Sequence, residues 1–308
     1  MNDPILFSGT SNPKLARNIA AALHTRLGSI EITRFIDNEC RVYIKENVSG
    51  KHAVVIQSLS QIADQHLVEL CLIGQALTSL GVHSLTAVIP WLGYSKQDKA
   101  FRRGEAVSAH LVAKFIETAG FERVITVELH SETVIPYFTV PVTELSTHDL
   151  LSRSLPKGIS GNIIVASPDQ GGKSRSEKFA RAVGLPIVYL TKKRNLETGG
   201  VAVTGISATT ADAHVVIFDD IINTGETAVK TSAFLKKQGS SAVTFLATHA
   251  VLAGTATRIL QGSNIDRIVV TDTIDIPKYA MFPKLEVVSV APLVAESIRQ
   301  ALKGVENV

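Results

Sequence analysis

An acidic pair followed by a hydroxyl-rich turn is the stretch of this sequence whose residue types could most directly perform chemistry. Asp219 and Asp220 come directly after the four apolar residues 215–218. The turn that follows contains Asn223, Thr224, Gly225, Glu226 and Thr227. Backbone N–H groups of such a turn, together with the start of a helix, suit a phosphate, whereas the carboxylates suit neighbouring hydroxyl groups or a bridging cation. The stretch therefore indicates a phosphorylated sugar. The alternative is a strand-end acidic pair beside an ordinary capped helix, because short motifs also match by accident.

A second candidate is the polar segment 191–200, which holds three consecutive cations and ends in two glycines. Side chains at positions i and i+2 of an extended segment share a face, so Lys192 and Arg194 would point together while Lys193 points away. This pattern is typical of a mobile flap whose cations stabilise a transferring anionic group. The alternative is a solvated basic loop.

The corner at residues 34–39 could hold a nucleotide base. Phe35 could stack on a purine, and the carboxylates of Asp37 and Glu39 could accept hydrogen bonds from its exocyclic amine. The alternative is a hairpin turn with two solvated acids.

Two further candidates are predicted at the carboxyl ends of parallel strands, where α/β sheets bind ligands. The basic loop 91–105 contains Lys96 and Gln97 and follows a predicted strand over 85–90. His130 ends a predicted strand over 123–130. A solvated surface loop and a structural histidine are the corresponding alternatives.

Composition limits the class of protein. The 308 residues are 45% hydrophobic and only 19% charged, which excludes a disordered chain and allows two domains. A net charge of +3 without a long Lys/Arg run argues against a nucleic-acid surface. No apolar run is long enough for a membrane span, and no signal peptide is predicted. Cys40 and Cys71 lack disulfide or metal-ligand spacing, which favours the cytoplasm.

The elements that must position these residues alternate between strand and helix. Helices are predicted over 13–27, 60–80, 108–117, 173–183, 228–238 and 292–302. Apolar strands lie between them, which is typical of an α/β fold with mostly parallel sheets flanked by helices. Both halves repeat the same order of elements, so we expect two copies of one fold. The predicted domains are 1–146 and 147–290, with 291–308 packing back on the first.

Six motifs in order resemble the ribose-phosphate diphosphokinase (phosphoribosyl-diphosphate synthetase) family. They lie at residues 34–39, 90–99, 128–130, 167–172, 192–194 and 219–227. The resemblance implies two phosphoribosyltransferase-like domains. It implies transfer of the diphosphoryl group of ATP to the C1 hydroxyl of ribose 5-phosphate, with Mg²⁺ as cofactor. It also implies a homo-oligomer whose smallest active unit is a dimer, with a hexamer as a larger form.

The resemblance also implies roles for the candidate residues. The sugar phosphate would be held by Asp219, Asp220, Asn223, Thr224, Gly225, Glu226 and Thr227. ATP would be held by Phe35, Asp37, Glu39, Lys96 and Gln97. Magnesium would be held by His130 and Asp169, and catalysis would depend on Lys192, Arg194 and His130.

The sequence departs from the family pattern at several positions. Lys96 stands where the family usually has arginine, which keeps the charge and loses the two-pronged donor geometry. Glu128 replaces the commoner aspartate before Leu129 and His130. Two alternatives stay open at this point: a phosphoribosyltransferase, which usually has one such domain, and a non-catalytic regulatory subunit of the same family.

Overall fold

The computed structural model describes residues 4–156, 162–194 and 201–305, and the side chains in these ranges except those of 192–194, 201–202 and 304–305. These residues divide into two compact units. The first unit contains the chain up to Ser146 together with Thr273–Asp275 and the chain from Ser289 onward. The second unit contains Thr147–Asp272 and Ile276–Val288.

A five-stranded parallel sheet forms the centre of the first unit. Its strands, in spatial order, are β1 (Ile5–Ser8), β4 (His52–Ile56), β5 (Ser84–Ile89), β6 (Arg123–Val127) and β7 (Val142–Leu145). In β4, β5 and β6 every residue after the first is buried, because helices cover both faces of a parallel sheet.

Four helices accompany this sheet. They are α1 (Pro13–Ala22), α2 (Ala63–Ser79), α3 (Ser108–Thr118) and α8 (Ala291–Val305). Asn12 caps α1 by accepting a hydrogen bond from Leu15 N at 3.0 Å, and Pro13 occupies the favoured first position. The Arg299 side chain on α8 donates to Ala22 O at the end of α1. A separate antiparallel hairpin is formed by β2 (Ile30–Arg34) and β3 (Cys40–Ile44).

A seven-stranded sheet forms the centre of the second unit. Its strands, in spatial order, are β10 (Val201–Ile206), β9 (Ile187–Arg194), β8 (Ile163–Ser167), β11 (His214–Ile222), β12 (Ala242–Ala250), β13 (Arg267–Thr271) and β14 (Leu285–Val288). All neighbouring pairs are parallel except β9 and β10. The helices of this unit are α4 (His148–Ser152), α5 (Lys173–Val183), α6 (Glu226–Lys237) and α7 (Ala256–Gln261).

Aromatic stacking helps to fix α5 on the second sheet. The rings of Phe179 on α5 and Phe218 on β11 are parallel, with centroids 4.2 Å apart, and both side chains are fully buried. Such a pair contributes about 0.5–1.5 kcal/mol beyond the burial of its area. The contact holds the middle of α5 against β11, the strand that contains the acidic pair.

The predicted fold class, with mostly parallel sheets and flanking helices, is confirmed. Several predicted boundaries are wrong. α1 ends at Ala22 rather than near 27, and His24 has a positive φ of 57°, which breaks the helix. β6 ends at Val127, so His130 follows the strand by three residues. β11 continues to Ile222 and contains the acidic pair. Strands β7, β10 and β14 were not predicted.

No helix among the described residues is long and apolar enough to cross a lipid bilayer.

Candidate active site

The acidic pair lies on the last part of β11. Val215 to Phe218 are fully buried in the sheet. Asp220 is 1% exposed, and the Asp219 side chain is 16% exposed. Buried carboxylates require partners, because an isolated charge away from water is costly.

Arg175 supplies that partner. Its Nη1 atom lies 3.0 Å from Asp219 Oδ1 and 2.9 Å from Asp220 Oδ1. Arg175 is the third residue of α5, and its guanidinium therefore joins the start of this helix to the end of β11. The pairing is a charge-assisted contact between largely buried side chains, so it holds both carboxylates in a fixed orientation.

The pKa of Asp219 reflects this crowding. Burial and then the neighbouring Asp220 carboxylate raise the pKa of Asp219 to about 8, although Arg175 acts in the opposite direction. Asp219 is therefore largely protonated at neutral pH, and a second cation or a row of hydroxyl donors beside it would favour its ionised form.

The Asp169 side chain lies close to the Asp219 carboxylate. Its Oδ1 accepts a hydrogen bond from Gly172 N at 2.9 Å in the turn that begins α5. A methyl group added at Gly172 would lie 3.7 Å from Asp169 Oδ1 and 3.6 Å from Asp219 Oδ1, so both oxygens border one point. Carboxylate oxygens are the ligands that magnesium prefers, which makes this donor set suitable for that ion. Among the described residues, no group of three or more His, Cys, Asp or Glu side chains is arranged so that it could hold a metal ion on its own.

The turn after β11 has the backbone geometry expected of an anion site. Gly225 has a φ of 79°, a left-handed conformation that glycine adopts without steric cost. A methyl group there would lie 3.0 Å from the Leu260 side chain on α7. α6 begins at Glu226, and the N–H groups of its first turn have no acceptor within the helix. Thr224 is exposed and Thr227 is half-buried, so both hydroxyls are accessible.

In the first unit, the loop after β5 carries Lys96 and Gln97. The Lys96 ammonium lies 5.8 Å from the centre of the buried Trp91 ring, within reach of a cation–π contact. Gln97 Oε1 accepts a hydrogen bond from Ser108 Oγ at 2.6 Å, and Gln97 O accepts from Ala109 N at 3.2 Å. The first residues of α3 therefore hold this end of the loop.

His130 lies after β6, the neighbour of β5 in the sheet. The backbone between β6 and His130 is constrained. Glu128 has a positive φ of 36°, and its Oε1 atom accepts a hydrogen bond from Ser146 Oγ at 2.8 Å. Leu129 N donates to Glu144 Oε1 at 2.7 Å. A positive φ at a residue other than glycine is uncommon and marks strain that the surrounding contacts must maintain.

The predicted base-binding corner is the turn of the β2–β3 hairpin. Phe35 N donates to Glu39 O at 3.0 Å, and Glu39 N donates to Asp37 Oδ1 at 3.2 Å. The Phe35 side chain is 54% exposed, and the neighbouring Ile36 is fully exposed. The corner thus presents an aromatic ring and two acids on its surface.

The structure brings together Asp169, Asp219 and Asp220 in the second unit, and Lys96 with Gln97 in the first. The backbone of residues 192–194 belongs to β9 and pairs with β10, so the expected flap begins as a strand. The side chains of Lys192 and Arg194 lie outside the described residues, as does the segment 195–200. Arg175 was missed, although a cation in the first turn of a helix, where it opposes the helix dipole, was a signal for a special partner.

Comparison with known proteins identifies the family. Residues 4–120 match the N-terminal domain of ribose phosphate pyrophosphokinase, and residues 165–306 match the phosphoribosyl synthetase-associated domain. The ribose-phosphate pyrophosphokinase of Ralstonia nicotianae is 36% identical over 302 residues, which cover 97% of this chain and 95% of that protein. The chain belongs to the ribose-phosphate pyrophosphokinase family. The family's protein from Helicobacter hepaticus is 37% identical, over 96% of this chain and 94% of that one.

A solved structure of the same family agrees with the fold. The phosphoribosylpyrophosphate synthetase from Mycobacterium smegmatis superposes with a TM-score of 0.91 and 31% identity. The match covers 98% of this chain and 99% of that chain. The ribose-phosphate pyrophosphokinase fold therefore extends over nearly the whole sequence.

Proposed function

We propose that this protein transfers the diphosphoryl group of ATP to the C1 hydroxyl of ribose 5-phosphate. The C1 oxygen attacks the β-phosphorus, the bond from that phosphorus to the α-phosphate oxygen breaks, and AMP leaves. The observation that carries the proposal is the acidic pair beside a strand-to-helix turn, in a chain that matches ribose-phosphate pyrophosphokinases over nearly its full length.

We assign the binding of ribose 5-phosphate to the second unit. The phosphate lies against the turn Asn223, Thr224, Gly225, Glu226 and Thr227, where N–H groups and hydroxyls can donate. Asp219 and Asp220 accept hydrogen bonds from the ribose hydroxyls, and Arg175 holds both acids in place.

The first unit is assigned ATP. Lys96 and Gln97 contact the nucleotide, and Phe35 stacks on adenine while Asp37 and Glu39 accept from its amine. Because Phe35 is exposed on a hairpin corner, we assign this corner to the nucleotide site of a neighbouring subunit, which makes a dimer the smallest active unit.

Magnesium is the proposed cofactor. Asp169 and His130 are assigned to it, and the oxygens of Asp169 and Asp219 fit the donor type that this ion requires. When bound, magnesium neutralises charge on the phosphates that are transferred. Lys192 and Arg194 are assigned to neutralise the remaining negative charge of the transition state, since phosphoryl transfer requires from the protein mainly positioning and electrostatic stabilisation.

We also propose that the two compact units are two phosphoribosyltransferase-like domains, with the boundary near residue 146 and α8 belonging to the first domain. The division of the described contacts after Ser146 supports this assignment. Cys40 and Cys71 are both free thiols, which supports a reducing compartment such as the cytoplasm.

The test is the formation of AMP and phosphoribosyl diphosphate from ATP and ribose 5-phosphate, separated by ion-exchange chromatography. Asp220→Asn should abolish most of the activity and weaken ribose 5-phosphate binding, because the hydroxyls lose a charged acceptor. Asp266→Asn is the matched control: Asp266 lies at the opposite ends of the strands, where it accepts from Val243 N at 2.7 Å. Equal activity in the two variants, or ATP hydrolysis without the sugar product, would contradict the proposal.

A further inference from the structure

We propose that Thr133 and Tyr137 are positioning residues that fix the loop 91–105, called the nucleotide loop below, to the segment following His130, through hydrogen bonds to Asp98. The inference rests on the proposed function, in that Lys96 and Gln97 of this loop are the residues assigned to ATP. It adds residues that do not themselves touch substrate.

Two hydrogen bonds join the loop to a short 3-10 helix, Glu132–Tyr137, directly after His130. Thr133 Oγ1 donates to Asp98 Oδ2 at 2.7 Å, and Tyr137 OH donates to Asp98 O at 2.5 Å. Ser131 Oγ and Thr133 Oγ1 are 2.7 Å apart, so the hydroxyl that bonds the carboxylate is itself oriented. Asp98 is thus held through both its side chain and its backbone.

The charge of Asp98 strengthens this attachment. The Thr133 hydroxyl, as the largest influence, keeps the pKa of Asp98 below its ordinary value. The carboxyl group is therefore ionised at neutral pH, and hydrogen bonds to an ionised acceptor are shorter and stronger than neutral ones.

The part of the loop after Asp98 contains a turn that is stabilised by contacts within the loop. Glu105 accepts hydrogen bonds from Phe101 N at 2.8 Å and Arg102 N at 3.0 Å, which stabilise the turn of the loop. The Phe101 and Arg102 side chains are largely exposed. The attachment at Asp98 comes one residue after Gln97 and two after Lys96, and it acts together with the hydrogen bonds that Gln97 accepts from Ser108 and Ala109. Its loss would therefore loosen the position of these two side chains.

The attachment also couples two proposed ligand contacts. The loop leaves β5 and the 3-10 helix follows β6, and these strands are neighbours whose carboxyl ends meet at one edge of the sheet. Holding the loop against the 3-10 helix therefore sets the distance from Lys96 and Gln97 to His130. Positions fixed in this way before binding reduce the ordering that ATP must impose.

Thr133→Val and Tyr137→Phe test the attachment without changing any residue of the loop. Each variant removes one hydroxyl and nearly preserves the side-chain shape, and Tyr137→Phe retains the ring contact with His110, whose centroid is 5.1 Å away. Hydrogen bonds of this kind contribute enough to change affinity by about threefold to tenfold each. We expect the dissociation constant of ATP, measured by calorimetry, to rise by that factor in each variant and further in the double variant.

Thr139→Val is the matched control, because it removes a similar hydroxyl-to-carboxylate bond, from Thr139 Oγ1 to Glu117 Oε1 at 3.0 Å, in the same unit. It should leave ATP affinity unchanged. Thr133→Ser, which keeps the hydroxyl, should bind ATP as the wild type does, and ribose 5-phosphate affinity should be unchanged in every variant.

If Thr133→Val and Tyr137→Phe bind ATP as tightly as the Thr139→Val control does, the positioning proposal is overturned. An equal loss of affinity for ATP and ribose 5-phosphate would also overturn it, because that result would indicate general unfolding. Because ATP binding is measured without turnover, this result is independent of the product assay. Absence of AMP formation in the wild type would refute the proposed function and leave the binding comparison interpretable.

Discussion

The ion pair of Arg175 with Asp219 and Asp220 predicts a specific pattern of stability against pH. Removing one partner of a buried ion pair costs about 3–5 kcal/mol, because the remaining charge is left without compensation. In Arg175→Met, two adjacent carboxylates would remain, of which Asp220 is 1% exposed. The loss at pH 7 should lie near the lower end of that range, since Asp219, whose pKa is about 8, is already largely protonated at that pH and only Asp220 is left charged.

The sign of the pH dependence follows from linkage. The pKa of Asp219 in the folded protein lies above its ordinary value of 3.8, so the folded state binds the proton more tightly than the unfolded state. The stability that this group contributes is complete below pH 3.8 and is lost as the pH rises toward about 8. In the wild type, the decrease in stability that Asp219 causes with rising pH ends near pH 8. In Arg175→Met the pKa of Asp219 rises further, so the loss continues at higher pH, by at most about 1.4 kcal/mol per pH unit.

Urea unfolding followed by circular dichroism at pH 7, 8 and 9 provides the assay. Arg267→Met is the matched control in the same unit: Arg267 Nη2 lies 2.6 Å from Glu286 Oε2, with the two side chains 33% and 51% exposed. That substitution should cost about 1–2 kcal/mol, because the pair is partly solvated and one further hydrogen bond to Ser154 O is lost. Its effect should be the same at pH 7 and pH 9.

The double variant Arg175→Met with Asp219→Asn removes the titrating carboxyl group as well. Its unfolding midpoint should recover part of the loss and should not depend on pH between 7 and 9. If the deficit of Arg175→Met is no larger at pH 9 than at pH 7, the ion pair does not control Asp219 and the reasoning is refuted.

Three further predictions concern the proposed site. Lys192→Ala and Arg194→Ala should each lower kcat at least about a hundredfold, whereas Lys193→Ala should leave kcat nearly unchanged, because cations that act in the transition state affect the rate more than ATP binding. Equal, small effects on kcat at all three positions in steady-state assays would indicate a solvated loop. Lys96→Arg should retain activity and tighten ATP binding in calorimetry by restoring two parallel donors, and a large loss of affinity would contradict this. Gly225→Ala should lower the free energy of unfolding by about 1–3 kcal/mol and weaken ribose 5-phosphate binding. The reasons are that φ is 79° there and that the added methyl group would lie 3.0 Å from the α7 leucine; an unchanged unfolding midpoint would contradict this.

Local signals explain which elements could be predicted from the sequence. α5 was predicted over 173–183, and the structure has Lys173–Val183, because a Gly-rich turn precedes it and Gly184 ends it in a left-handed conformation. The buried strand before the acidic pair was predicted from four apolar residues in a row. Its continuation to Ile222 was not, because two acids end the apolar pattern although the backbone goes on pairing with β12.

Tertiary contacts explain what the sequence did not reveal. Arg175 and Asp219 are 44 residues apart, and only the packing of α5 on β11 brings them to 3.0 Å. The hydrogen bond from Thr133 to Asp98 likewise spans 35 residues and depends on two neighbouring strands. Residue type and local spacing predicted which side chains could bind phosphate and sugar, but not which cation orients them.

The position of Trp91 has a spectroscopic consequence. It is the only tryptophan in the sequence, it is 6% exposed, and the Lys96 ammonium lies 5.8 Å from its ring. Intrinsic tryptophan emission therefore arises from the nucleotide loop alone, without a contribution from the second unit. A nucleotide that draws Lys96 away from the indole changes the electric field at the fluorophore. The wild-type chain thus contains its own optical probe for nucleotide titrations, and ribose 5-phosphate titrations in the absence of nucleotide should leave the emission unchanged.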